Sequence, residues 1–152
     1  MIDVAVRLAR GGADSVGLSD GVGVANPAQV GRLFRRLRAE IGDKAGAAHL
    51  HNTRGLGLAN CLAAYEAGVR TFDASLGGLG GCPYAPGASG NVVTEDLVFM
   101  FEAMGVCTGI DLAKLLAARE PLKAGLPGEA LYGMLPEAGL PKGFVQDAVH
   151  VD

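Results

Sequence analysis

The sequence predicts an α/β fold with parallel strands whose polar motifs are placed as in (β/α)8 barrels. Three observations predict it. Short apolar runs alternate with stretches of helical periodicity, the connections between them are short, and each polar motif falls at the C-terminal end of a strand. Strand, helix, strand in that order implies right-handed crossovers and a parallel sheet. Barrel enzymes keep their active sites at the C-terminal strand ends. A complete barrel needs eight strands and about 250 residues, whereas these 152 residues supply three convincing strands.

Ser15 to Asp20 (SVGLSD) reads as the first strand, followed by glycine-rich GVGVAN. Asn26 suits a helix N-cap and Pro27 the first helical position, where its missing N–H costs nothing. Val30, Leu33, Phe34, Leu37 and Ile41 then recur at helical spacing, so Pro27 to Ile41 is an amphipathic helix. Ala45 to His51 (AGAAHLH) is the second strand, Leu56 to Gly68 a helix closed by glycine, and Val69 to Gly77 the third strand. Thr94 is placed to cap a helix through Met104, with Glu95 and Asp96 at its positive end. Asp111 is placed to cap another through Arg119. Beyond Pro121, prolines 127, 136 and 141 punctuate a tail of short helices or coil. The expected division is a barrel part at 1–120 and a helical or coil tail at 121–152.

Composition narrows the function classes. A content of 49% hydrophobic and 19% charged residues is that of a globular chain, which argues against wholesale disorder. A net charge of −3 and 5% aromatic residues offer neither a field nor stacking platforms for nucleic acid. No apolar run reaches the roughly 18 residues of a membrane helix, and MIDVAVRLARGG has no apolar core of a signal peptide. Cys61, Cys82 and Cys107 form no CxxC pair, which points to a reducing cytoplasm rather than a disulfide framework. GxGxxG and Walker A patterns are absent from the sequence.

Two motifs carry chemistry. In HLHN, His49 and His51 stand two apart in a strand and so share a face. Two imidazoles so placed can ligate a divalent cation; they can equally be strand-end polar groups satisfied by backbone or water. Gly77 to Asn91 (GGLGGCPYAPGASGN) spends six glycines and two prolines around one thiol. It reads either as a plain surface connection or as a loop whose backbone approaches a ligand closely, with Cys82 able to shuttle a proton and Asn91 a neutral oxygen donor. Cys61 and Cys107 sit in apolar helical or helix-flanking settings and read as packing residues. The arginines 32, 35, 36 and 38 read as the solvated face of their helix, and His150 as part of the terminal tail.

SVGLSDGVGVANP, AAHLHNTRGLGLAN and FDASLGGLGGCPYAPGASGNVVTEDLVFMFEAMGVCTGIDL resemble the C-terminal half of the 3-hydroxy-3-methylglutaryl-CoA lyases. These belong to a barrel metallolyase family that also holds isopropylmalate and homocitrate synthases. The resemblance runs from about Val4 to about Arg119. It implies the last three β/α units of a barrel plus C-terminal helices. It further implies His49, His51 and Asn91 as ligands of a divalent metal, magnesium or manganese, with Cys82 as the proton-transferring thiol. Asp20 matches an acidic strand-end residue that helps hold the site, and His49, or a water it holds, would be the base. The implied reaction is retro-Claisen cleavage of 3-hydroxy-3-methylglutaryl-CoA, or a related acyl-CoA, to acetyl-CoA and a ketoacid such as acetoacetate.

Two departures from the family pattern stand out. Asn52 occupies a position where aspartate is common in the family, which bears on the substrate. The family's N-terminal half, with its arginine–aspartate motif, has no counterpart here. The expected partner is therefore that half or a second copy of the chain, with Val16, Leu18 and Ala47 expected on the uncovered inward face. A synthase of the same family and a non-catalytic half-barrel are the alternatives. The cysteine loop, in place of the synthases' charged GERAGN-type loop, favours the lyase.

Overall fold

The computed structural model describes residues 1–81, 87 and 90–146. Its elements run α1 (Ile2–Arg10), β1 (Val16–Asp20), α2 (Pro27–Ile41), β2 (Ala45–Leu50), α3 (Gly57–Glu66), β3 (Phe72–Asp73), α4 (Thr94–Ala103), α5 (Leu112–Ala117), α6 (Arg119–Gly125) and α7 (Met134–Ala138). Among the described residues the strands form a three-stranded parallel sheet in the order β1-β2-β3.

Helix α2 starts where the sequence says it should. Asn26 Oδ1 accepts the Gln29 N–H and Gln29 Oε1 accepts the Asn26 N–H, each at 3.0 Å, satisfying two otherwise orphaned amide groups reciprocally. Its apolar stripe, Val30, Phe34 and Leu37, buries against Val16, Ala48 and Leu50 of the sheet and Cys61 and Ala64 of α3. Leu37 is fully excluded from water, so truncating it to alanine would cost about 2–5 kcal/mol. Phe101 of α4 closes the core against Phe72 and Tyr65. A smaller cluster of Val98, Leu112 and Leu135 holds the C-terminal segment. Asp96 there accepts the Met134 and Leu135 N–H groups at 2.9 and 2.7 Å.

Several expectations need correction. The third strand covers Phe72–Asp73 rather than 69–77. Past Asp73 the chain leaves the sheet, and Ser75 pairs with Val93 instead. Thr94 is the first residue of α4 and not its cap, which falls on Val93; the Thr94 N–H goes to the Ser75 carbonyl at 2.9 Å. Asp111 does cap α5, accepting the Lys114 N–H at 3.0 Å, but that helix stops at Ala117 and α6 restarts at Arg119. Pro121 has no N–H to give the Ala117 carbonyl, so one continuous helix could not be hydrogen-bonded there. Cys107 is exposed, not packed.

The inward face also differs from expectation. Val16 belongs to the buried core and Leu18 packs against it. The register aligns Ser19 with His49 and Asp73, and Leu18 with Ala48 and Phe72. By alternation the face away from the helices carries Gly17, Ser19, Ala47, His49 and Asp73. It is a small-residue and polar face, not an apolar one. No helix among the described residues is long and apolar enough to cross a membrane.

Candidate active site

The C-terminal end of β2 brings His49 and the next residue but one, His51, onto that polar face. Their Nε2 atoms lie 3.2 Å apart, with ring centroids at 5.1 Å and planes at 67°. An octahedral cation with bonds of about 2.1 Å would place neighbouring ligand atoms about 3.0 Å apart. The imidazole pair therefore has the spacing that two ligands of one ion need. His49 is half-buried, and its Nδ1 contacts Asp73 Oδ1 on the neighbouring strand. His51 is buried. Burial first, and then the neighbouring His49, hold its pKa below the ordinary histidine value, with Asp20 opposing in part. The His51 ring is thereby favoured in its neutral form.

Asn91 reaches the same place from the far stem of the glycine loop. It forms an antiparallel bridge with His51. The Val92 N–H goes to the Leu50 carbonyl and the Asn52 N–H to the Gly90 carbonyl, both at 3.1 Å. The Asn91 amide nitrogen donates to Ser75 Oγ at 2.9 Å and to the Leu79 carbonyl at 2.8 Å. Those contacts orient the group and leave Oδ1 buried with no partner among the described residues. A buried unpaired acceptor costs about 1–3 kcal/mol, so this oxygen is available to a ligand. His51 Nδ1 is likewise buried and unpaired. Among the described residues no three His, Cys, Asp or Glu side chains gather to hold a metal. The donor set is two imidazoles and one amide oxygen. Neutral nitrogen and oxygen donors of this kind fit a divalent cation.

Asp20 does not turn to the histidines. Its carboxylate accepts the Val24 N–H at 3.2 Å and the Ala25 N–H at 2.8 Å, bracing the β1–α2 loop, while its carbonyl accepts the His51 N–H at 3.2 Å. It shapes the site through the backbone. Asn52 caps the start of α3, accepting the Gly57 N–H at 2.9 Å. Cys82 and His150 lie outside the described residues.

Glycine is required where the loop's two stems cross. A Cβ on Gly90, whose φ is +138°, would stand 2.0 Å from the Gly78 carbonyl oxygen. The near stem is fixed by a residue that sequence reasoning assigned only to a helix end. Glu95 is fully buried, takes the Gly77 N–H on both oxygens at 3.2 and 3.1 Å, and is paired with Arg119. Arg119 also donates to the Tyr132 carbonyl at 3.0 Å. Asp73 was missed altogether as a site residue. The available signal was its depth, since it ends the third strand level with His49. A cavity of about 340 Å³ opens beside Asn91, lined also by Asn52, Leu58, Asp96, Tyr132 and Met134.

Comparison with known proteins extends this picture. The profile of the HMGL-like family matches residues 1–121. The chain is 49% identical over 128 residues to (R)-citramalyl-CoA lyase of Chloroflexus aurantiacus, covering 84% of this chain and 40% of that protein. It is 50% identical over 107 residues to hydroxymethylglutaryl-CoA lyase YngG of Bacillus subtilis, covering 70% of this chain and 36% of that protein. An HMG-CoA lyase from Acinetobacter baumannii, solved in complex with coenzyme A and 3-methylmalate, superposes with a TM-score of 0.86 at 46% identity, covering 94% of this chain and 47% of that one. The chain thus spans less than half the length of the relatives it matches.

Proposed function

The chain belongs to the HMGL-like family, and we propose that it forms the metal-holding part of a carbon–carbon lyase acting on a 3-hydroxy-3-methyl acyl-CoA thioester. In this reading the sheet is the last three β/α units of a (β/α)8 barrel. The observation that carries the reading is the pair of imidazole Nε2 atoms 3.2 Å apart, with the unpaired amide oxygen of Asn91 bridged alongside. His49, His51 and Asn91 would hold magnesium or manganese. When bound, the ion would supply Lewis-acid activation of the substrate's tertiary hydroxyl.

The remaining steps fall to the chain itself. The Asn91 amide is held through its nitrogen by Ser75 and Leu79, which leaves its buried oxygen unpaired among the described residues. Asp20 and Asn52 pin the loops that flank the histidines. Because Asp73 occupies His49 Nδ1, Nε2 is the one nitrogen His49 has free. A ligating His49 cannot also take the hydroxyl proton there, so that proton passes to water at the site. As the hydroxyl loses its proton, the bond between the carbinol carbon and the carbon α to the thioester breaks. The products are a ketone and a thioester enolate. The Cys82 thiol gives its proton to the enolate carbon, releasing acetyl-CoA.

The substrate is narrowed to two thioesters that differ by one methylene between carbinol and carboxylate: 3-hydroxy-3-methylglutaryl-CoA, leaving acetoacetate, and citramalyl-CoA, leaving pyruvate. Asn52 in HLHN and the 49% identity to the citramalyl-CoA lyase keep the second alongside the first. A methylene is worth about 10- to 200-fold in discrimination. The test fuses the chain to the preceding half of the Acinetobacter enzyme and measures acetyl-CoA release from each thioester with manganese. Release that His51→Ala abolishes supports the proposal. Release from neither thioester, or release unaffected by His51→Ala, rejects it.

A further inference from the structure

We infer that Asp73 is a positioning residue that fixes the tautomer and rotamer of His49, presenting Nε2 toward His51. The consequence drawn for metal binding rests on the function proposed above; the geometry does not. Strand β3 is two residues long, and its two side chains do different things. Phe72 packs at a tilt against Phe101 in the core. Asp73 lies level with His49 in the parallel register, so both project from the opposite face.

Asp73 Oδ1 meets His49 Nδ1. A carboxylate oxygen accepts hydrogen bonds, so in the neutral ring this contact places the imidazole proton on Nδ1 and leaves Nε2 bare. That bare nitrogen is the one 3.2 Å from His51 Nε2. Among the described residues Asp73 makes no other side-chain hydrogen bond or ion pair, and its side chain is 60% exposed, so it contributes little to packing. His51 differs: its Nδ1 has no partner and its ring is held by burial. One histidine of the pair is therefore oriented by the surrounding core and the other by a single carboxylate.

The test reads the tautomer directly. In the uniformly 15N-labelled full chain, long-range 1H–15N spectra at neutral pH should show His49 as the Nδ1–H form. Asp73→Ala should move it toward the Nε2–H form, while Asp73→Asn, which keeps an acceptor oxygen, should preserve most of the original signal. Asp73→Ser, too short to reach, is the second disrupting variant and should match alanine. Manganese titration should show about 10- to 100-fold weaker binding for the alanine and serine variants, with asparagine closer to wild type. A wild-type His49 in the Nε2–H form, or an unchanged tautomer in both the alanine and serine variants, overturns the assignment. If wild type binds no manganese the metal reading fails, and the tautomer measurement still decides the role of Asp73.

Discussion

Replacing Arg119 with methionine should be the most damaging single change outside the apolar core. Glu95 has no solvent exposure and the Arg119 side chain only 15%, so neither charge can fall back on water. The pair stands between three segments. Glu95 belongs to α4, its oxygens take the Gly77 N–H at the near stem of the glycine loop, and Arg119 ties down the Tyr132 carbonyl. Methionine fills much of arginine's volume but leaves the carboxylate buried without its counter-ion. Breaking a buried pair from one side costs about 3–5 kcal/mol, against a net stability of about 5–15 kcal/mol for a whole domain. At roughly 2–4 °C per kcal/mol for a chain of this size, the melting temperature should fall by about 6–20 °C. Adding Glu95→Gln removes the orphaned charge and keeps an acceptor for Gly77, so the double variant should recover most of the loss. Circular dichroism melts give the stability, and amide exchange at Gly77 and Tyr132, joined by a 2.8 Å hydrogen bond, gives the local effect. A single variant within about 1 kcal/mol of the parent, or a double variant no better than the single, would refute the reasoning.

The other predictions concern the loop, the thiols, acid and assembly. Gly90→Ala should lower stability by more than the roughly 1–2 kcal/mol of a left-handed alanine, since its Cβ also meets the Gly78 carbonyl; an unchanged urea midpoint would count against the crossed stems. Burial pushes the Cys61 thiol up to about 12, leaving about one part in ten thousand as thiolate at pH 8. Alkylation mapped by mass spectrometry should therefore find exposed Cys107 modified in the native chain and Cys61 only on unfolding. Because His51 is held below the ordinary histidine value, the unfolded chain takes its proton first. The metal-free chain should be at full stability above about pH 6.5 and lose stability as pH falls below it; a pH-independent midpoint between 7 and 5.5 would contradict this. Light scattering should show self-association, because β1 pairs only with β2 among the described residues and a free strand edge recruits another chain. A sharp monomer peak would remove that expectation.

The parts of the fold that were legible in the sequence are those set by local chemistry. Asn26-Pro27 and the periodic apolar residues after them define α2 to the residue, and the glycine at 68 closes α3 by taking a positive φ of 99°. The parts misread depend on which backbone partner claims an amide. Thr94 has the side chain of a cap, but the helix begins one residue earlier than that reading requires, where the backbone of Val92 and Thr94 pairs with Ser75 across the loop. A sequence does not display such a long-range pairing. The inward face was misassigned for a related reason. Val16 and Leu18 are apolar and two apart, which establishes that they share a face but not which one; the deciding contacts are with α2 and α3.

The site shows the same division between spacing and partnership. That His49 and His51 share a face follows from strand parity alone. That they bring their nitrogens to 3.2 Å depends on Asp73, on a strand 24 residues away, and on the Asp20 carbonyl that holds the His51 amide. Glu95 sits in a first helical turn, where an acidic residue ordinarily reads as favourable to the helix dipole. Its full burial makes that reading insufficient, because a charge removed from water needs partners that an exposed one does not. Gly77 and Arg119 are those partners, and they tie α4, the helix that follows Asn91, to the loop stem it must face. The residues that offer donor atoms sit in a short motif and a loop, whereas the residues that hold those donors in place are scattered along the chain and meet only in the folded structure.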